Sequence, residues 1–129
     1  MNYKKVLETE NFLVIRTKEK GNCLIANQDL KKGEVIVSQP YISEKINKVN
    51  LGDWHNLVFA NSKNYYLLLG VGSFCNHWKK ENTEVSFNSR KRIANYIAKR
   101  NIRKGEEITI NYGNNDKSFD KIKPLMLDI

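Results

Sequence analysis

Two stretches decide how this chain folds: GVGSFCNH at residues 70–77 and GEEITINYG at residues 105–113. The first is a loop lightened by Gly70 and Gly72 that runs into the pair Asn76 and His77. The second is a tight turn at Gly105, then an alternating strand that delivers Tyr112 just before Gly113. Nowhere else does the sequence set so many chemically able side chains beside so many backbone-permissive ones. A reaction carried out by this chain is expected here.

Upstream, the apolar run at 12–16 predicts a short, largely buried strand, and 17–22 predicts a turn holding Gly21. Residues 23–27 predict a second strand. The stretch DLKKGEVI at 29–36 is a turn with Gly33 at the residue needing positive φ, feeding a third strand over 35–37 that Pro40 is expected to close. The same pattern returns 72 residues later as NIRKGEEI at 101–108. Two copies do not make a solenoid; they predict two similar turn-to-strand corners in one domain.

The middle, 43–65, is the least patterned. A short helix is expected over 53–59, with Asp53 as N-cap and Trp54, Leu57 and Val58 facing inward. Residues 65–69 predict a strand ending at Gly70. The alternating runs 84–88 and 93–98, separated by a cationic turn at 89–92, predict a hairpin. The strand 108–112 closes the series. The class is mainly β, with few short helices. Residues 114–129 begin polar and turn apolar at 125–127, a tail expected to dock, pair with another chain or fray.

At 129 residues the chain is one domain by size, and its 40% hydrophobic and 28% charged content is an ordinary globular balance. No apolar run approaches the roughly 18 residues of a membrane span, and the N-terminus opens no signal-peptide core. An intracellular protein is the expectation. Cys23 and Cys75 are too few for a zinc ribbon or a disulfide framework, so buried thiols are expected and no metal site. The net charge is +8, and residues 79–104 hold nine cations against Glu81 and Glu84, a net of +7. Such a stretch draws anionic partners, nucleic acid among them, or is a solvated surface. Glu106 and Glu107 are neighbours on a strand and point to opposite sides, which argues against an acid–base pair.

Taken together, GNCLIA at 21–26, DLKKGEVI at 29–36, GSFCNH at 72–77 with Asn82 five positions on, and GEEITINYG at 105–113 stand in the order of a SET domain. The chain resembles the smallest SET-domain protein-lysine methyltransferases, the compact viral and bacterial kind without flanking zinc-binding modules. The resemblance covers a core of about 11–113. It implies a single SET domain over 1–129 of β-clip type, with short antiparallel sheets. It also implies a C-terminal pseudoknot that brings Asn111 and Tyr112 against Asn76 and His77.

The resemblance further implies S-adenosylmethionine as cofactor and a protein or peptide lysine as substrate, meeting through a narrow channel. Tyr112 is then the catalytic tyrosine. Gly21, Asn22, Cys23, Asn76, His77, Tyr112 and, in the tail, Phe119 are the cofactor-binding positions. Gly72, Ser73, Phe74, Ile110 and Tyr112 line the substrate channel. Ile110 stands where an aromatic often restricts methyl number, which implies di- or trimethylation. In the resembled motif a second glycine stands where this chain has Cys23, and a small residue where it has Trp78. These departures motivate an alternative reading, a SET-fold binding module with weakened catalysis; a small basic nucleic-acid-binding β-domain is a third. A histone-like or nucleic-acid-associated substrate, a host-nuclear or cytoplasmic location and pairing into a homodimer complete the expectations.

Overall fold

The computed structural model describes residues 2–48, 50–51, 59–112 and 122–129. The helix expected over 53–59 lies outside them except for Phe59, as do His55, Gly113 and Phe119. Strands β1 (Lys4–Glu8), β2 (Phe12–Thr17) and β3 (Gly21–Ala26) form a three-stranded antiparallel sheet. A second antiparallel sheet takes β4 (Val35–Lys45), β5 (Phe59–Ala60), β6 (Asn64–Leu68), β8 (Thr83–Asn88) and β9 (Ile93–Ala98) in the order β5-β6-β4-β9-β8. Two short strands, β7 (Asn76–His77) and β10 (Thr109–Ile110), pair in parallel. Helical backbone among the described residues is limited to two 3-10 turns, Ile46–Lys48 and Val71–Phe74. No helix among them is long and apolar enough to cross a membrane.

Strand β2 begins as an unbroken apolar run, Phe12 to Ile15, because both faces of that stretch are covered. Phe12 and Val14 enter the main core with Leu24 and Ala26 of β3. Leu13 and Ile15 turn the other way, into a smaller cluster with Cys23, Ile25 and Leu127, against which Leu125 packs. The tail therefore docks: it is the lid over the outer face of the first sheet. Strand β9 shows the opposite pattern, with Ala94, Tyr96 and Ala98 buried and their neighbours less so. That alternation belongs to a sheet with one face on the core.

The two similar corners are bonded to each other about a local two-fold. Leu30 and Ile102 exchange both backbone hydrogen bonds, each at 2.8 Å. Asn101 Oδ1 accepts from the Lys32 N–H at 2.9 Å, and Asp29 Oδ1 accepts from the Lys104 N–H at 2.9 Å. The Gly33 N–H reaches Ala98 O while the Gly105 N–H reaches Ala26 O, both at 2.8 Å. The returning bonds, from Ala98 N–H to Glu34 O and from Ala26 N–H to Glu106 O, are both 3.0 Å. Each polar lead residue thus satisfies the turn of the other copy, which explains why the pattern recurs.

Two features depart from the expectation. Strand β4 does not end at Pro40 but runs on to Lys45, pairing first with β9 and then with β6. Proline lacks a donor, yet its carbonyl still accepts from the Leu69 N–H at 2.9 Å, so the strand passes through it where it changes partners. Strand β1, exposed at every residue, carries no buried face to announce it.

The twin turns make a controlled comparison. Gly33 has φ +86° with open space where a Cβ would stand, whereas Gly105 has φ +91° and a Cβ there would stand 2.1 Å from Leu127 O. Gly33→Ala is expected to cost the backbone strain alone, about 1–2 kcal/mol. Gly105→Ala is expected to cost roughly 1–3 kcal/mol more and to release the tail to protease. Urea unfolding of both variants measures the difference; equal losses would contradict the docking of the tail on Gly105.

Candidate active site

The site is assembled from the 3-10 turn Val71–Phe74, the pair β7–β10 and the corner between β2 and β3. Gly72 is buried face-on to Tyr96, and a Cβ at Gly72 would lie 2.5 Å from that ring. The Gly72 N–H donates to Gln39 Oε1 at 3.0 Å, and Ser73 Oγ donates to Leu68 O at 2.8 Å. Phe74 packs half-buried against the main core. These contacts hold the turn down so that Cys75, Asn76 and His77 leave it in extended form.

From there β7 meets β10, Asn76 opposite Thr109 and His77 opposite Ile110, and the Trp78 N–H continues the pairing onto Ile110 O at 3.0 Å. On its other side β10 is bonded by a side chain instead of a strand. The Asn82 amide donates to Glu107 O at 2.9 Å and accepts from the Thr109 N–H at 2.9 Å, as a peptide group of an adjacent strand does. Asn82 is 1% exposed, and Glu106 and the Thr83 hydroxyl complete the partners that satisfy it. Ile110 is buried in the main core at 3% exposure.

This pairing sets Tyr112 over His77. The Tyr112 N–H donates to His77 Nδ1 at 3.0 Å, the two rings lie 5.2 Å apart at 50°, and the Tyr112 hydroxyl donates to Cys75 O at 3.0 Å. Accepting at Nδ1 leaves the His77 proton on Nε2. Tyr112 is 37% exposed, so one side of the ring is held while the other faces solvent. Its phenol is pushed up to about 12, chiefly by burial, with the Cys75 thiol and the Glu107 carboxylate adding to it. It is a neutral hydrogen-bond donor throughout the physiological range.

Asn76 turns its amide inward, to Glu107 Oε2 at 2.9 Å, Asn22 O at 3.0 Å and the Cys23 sulfur at 3.3 Å. The corner Gly21–Asn22 is thereby tied to the Asn76–His77 corner. Gly21 itself is exposed, with open space where a Cβ would point. Cys23 is fully buried in the smaller cluster, and burial, then the Glu107 charge, pushes its thiol up to about 12. Cys75 is likewise a buried, free thiol raised by burial. Neither is a nucleophile.

Glu106 and Glu107 do face different partners. Glu106 meets Arg100, the Arg103 N–H and Asn82; burial raises its carboxyl, but these donors prevail and hold it below the usual range. Glu107 is fully buried and bonded to Lys20, Asn76 and the Leu125 N–H. The structure therefore brings Gly21, Asn22, Asn76, His77 and Tyr112 together. Lys20 and Gln39 went unnoticed in the sequence; each acts on a partner between 33 and 87 positions away, and no local pattern marks such contacts.

The SET domain family model matches residues 21–113. The chain belongs to the SET-domain family. Family members are generally protein-lysine methyltransferases that use S-adenosylmethionine. A Plasmodium falciparum protein described as a candidate histone methyltransferase superposes with a TM-score of 0.69 at 21% identity, over 84% of this chain and 98% of that one, a likeness of fold. CpSET8 of Cryptosporidium superposes with a TM-score of 0.64 at 25% identity, over 81% of this chain and 58% of that one. This SET domain thus spans a little over half the length of CpSET8. No curated protein sequence matches it.

The clamped phenol has a measurable consequence. In the unfolded chain Tyr112 ionises near its ordinary value of 10.0, and in the fold near about 12. Its contribution to stability is accordingly present in full below pH 10 and lost as pH rises through about 12. Ultraviolet difference titration of the native protein against Tyr112→Phe is expected to show this tyrosinate only above about pH 11. Its appearance at or below the ordinary value would refute the clamp.

Proposed function

We propose that this SET domain transfers methyl groups from S-adenosylmethionine to the side-chain amine of lysine in a protein substrate. The observation that carries the reading is the convergence of the Tyr112 hydroxyl and the Cys75 carbonyl, 3.0 Å apart, with the Tyr112 ring packed on His77. Two electron-rich oxygens at one point suit the polarised C–H groups of a cationic methyl donor and the N–H groups of an amine. The residues present therefore fit the cofactor. Gly21 and Asn22 would hold it on one side, through backbone beneath open space, and Asn76 and His77 on the other, through backbone groups. Cys23 contributes backbone only, its side chain being buried. When bound, the cofactor supplies an electrophilic methyl on a sulfonium.

The rest is done by the chain. A free lysine ionises near pH 10.4, so its ammonium must release a proton to solvent before the amine attacks. A dry site disfavours the ammonium. The neutral Tyr112 hydroxyl, its proton donated to Cys75 O, accepts from an amine N–H and so orients the amine while leaving its lone pair free to attack. Alignment at about 3–3.5 Å between the reacting atoms is the main contribution required. Ile110 stands where an aromatic residue often restricts methyl number in the family, and on that resemblance we assign di- or trimethylation.

The substrate is proposed to be a nucleic-acid-associated protein. The cations of 79–104 divide into two groups. Arg90, Lys91 and Arg92 lie at the tip of the β8–β9 hairpin, about 17 Å by strand rise from its base at Thr83 and Ala98, whereas Lys79, Lys80, Arg103 and Lys104 lie beyond that base in sequence. Lys99 and Arg100, just past Ala98, are paired with Glu81 and Glu106. Arg90, Lys91, Arg92, Lys79, Lys80, Arg103 and Lys104 are exposed, and their charges can reach phosphate.

Two outcomes are expected. Tyr112→Phe is expected to lower kcat about 100-fold while S-adenosylmethionine affinity stays within about threefold, measured by labelled methyl transfer and calorimetry. A variant with unchanged kcat would remove Tyr112 from the chemistry. Replacing Arg90, Lys91 and Arg92 together by alanine is expected to reduce the slope of log affinity for a duplex against log salt by up to about 3, with kcat on a short peptide unchanged. An unchanged slope would count against the hairpin tip as a phosphate contact.

A further inference from the structure

The β2–β3 turn carries a residue whose position bears on cofactor binding. Lys20 and Glu107 form an ion pair at 2.7 Å with side chains 6% and 0% exposed. Their neighbours give the pair its reach. Lys20 Nζ also donates to Lys123 O at 2.9 Å. Glu107 Oε1 accepts in addition from the Leu125 N–H at 2.9 Å, and Glu107 Oε2 accepts from Asn76 Nδ2 at 2.9 Å. Backbone bonds from the Glu107 N–H to Leu125 O and from the Leu127 N–H to Gly105 O complete the tail's attachment, at 3.0 and 2.8 Å. One buried carboxylate thus joins three segments distant in sequence: the turn before Gly21, the Asn76–His77 corner and the tail.

We infer that Lys20 is a positioning residue for the cofactor, an inference that rests on the methyltransferase reading. Through Glu107 it orients the Asn76 amide, which in turn holds Asn22 O and so fixes the gap between the two backbone corners. Through Lys123 it makes docking of the tail and formation of that gap one event. A buried carboxylate needs all of its partners. Loss of the Lys20 cation therefore loosens Asn76 and the tail together.

Stability and positioning are separable. A buried ion pair replaced on both sides by apolar residues of similar volume often keeps the fold. The double variant Lys20→Met/Glu107→Leu removes the acceptor that orients Asn76 and leaves no unpaired charge. The Leu125 N–H and the Asn76 amide each lose an acceptor, so the variant is expected to melt several degrees below the native chain while staying folded at about 25 °C, and to bind S-adenosylhomocysteine there about 10- to 100-fold more weakly. Lys20→Arg, which keeps both the cation and Glu107, is expected to retain most of the native affinity, whereas Lys20→Met alone is expected to lose it.

A second measurement needs no variant. With S-adenosylhomocysteine at ten times its Kd, amide exchange at Leu125 and Leu127 in the native chain is expected to slow about tenfold, because tail and gap form together. Native affinity in the folded double variant, or tail exchange unmoved while that of Tyr112 slows, would overturn the inference and leave the methyltransferase reading standing. Failure of the native chain to bind the cofactor product at all would overturn both.

Discussion

Four residues in two parallel strands hold this molecule's chemistry in place. Asn76–His77 and Thr109–Ile110 are separated by more than thirty residues, and a parallel pair this short has little stability of its own. It persists because each flank is bonded by something other than a strand. Asn82 supplies a peptide-like amide on one side of β10, and the Tyr112 N–H reaches His77 on the far end. The same crossing that completes the backbone bonding of the C-terminal segment therefore sets a phenol over an imidazole. Fold and site are one constraint.

Buried polarity does for the periphery what this pair does for the centre. Glu107 has no exposed surface, and every partner it holds is a segment that the site needs in register. An apolar residue at 107 would pack against the smaller cluster but would specify nothing about Asn76 or the tail. A buried ion pair contributes modestly to stability at best. Its value here is geometric, since Lys20 precedes Gly21 and the carboxylate follows the Gly105 turn whose backbone receives Leu127.

Much of this was legible from residue order. The repeated pattern at 29–36 and 101–108 announced two similar corners, and they are similar because each caps the other: Asp29 bonds Lys104 as Asn101 bonds Lys32. The glycine-flanked Asn76–His77 and Tyr112 blocks named the family, and the β8–β9 hairpin followed from alternation around a charged turn. What stayed hidden has physical reasons. Pro40 reads as a stop because its missing donor is visible and its accepting carbonyl is not. Strand β1 buries nothing, so no periodicity betrays it. Lys20 looks like any surface cation in a charged turn, and only the fold brings a buried carboxylate to it from 87 positions away.

On the proposed reading, the Tyr112–His77 crossing and the Gly21–Asn22 corner enclose one binding place for a methyl donor. Mapping backbone amide shifts of the full chain on addition of S-adenosylhomocysteine tests this directly. The account predicts the largest changes at Gly21, Asn22, Asn76, His77 and Tyr112, with the hairpin tip at 89–92 unmoved. A map centred elsewhere, or an unchanged spectrum at millimolar ligand, would contradict it.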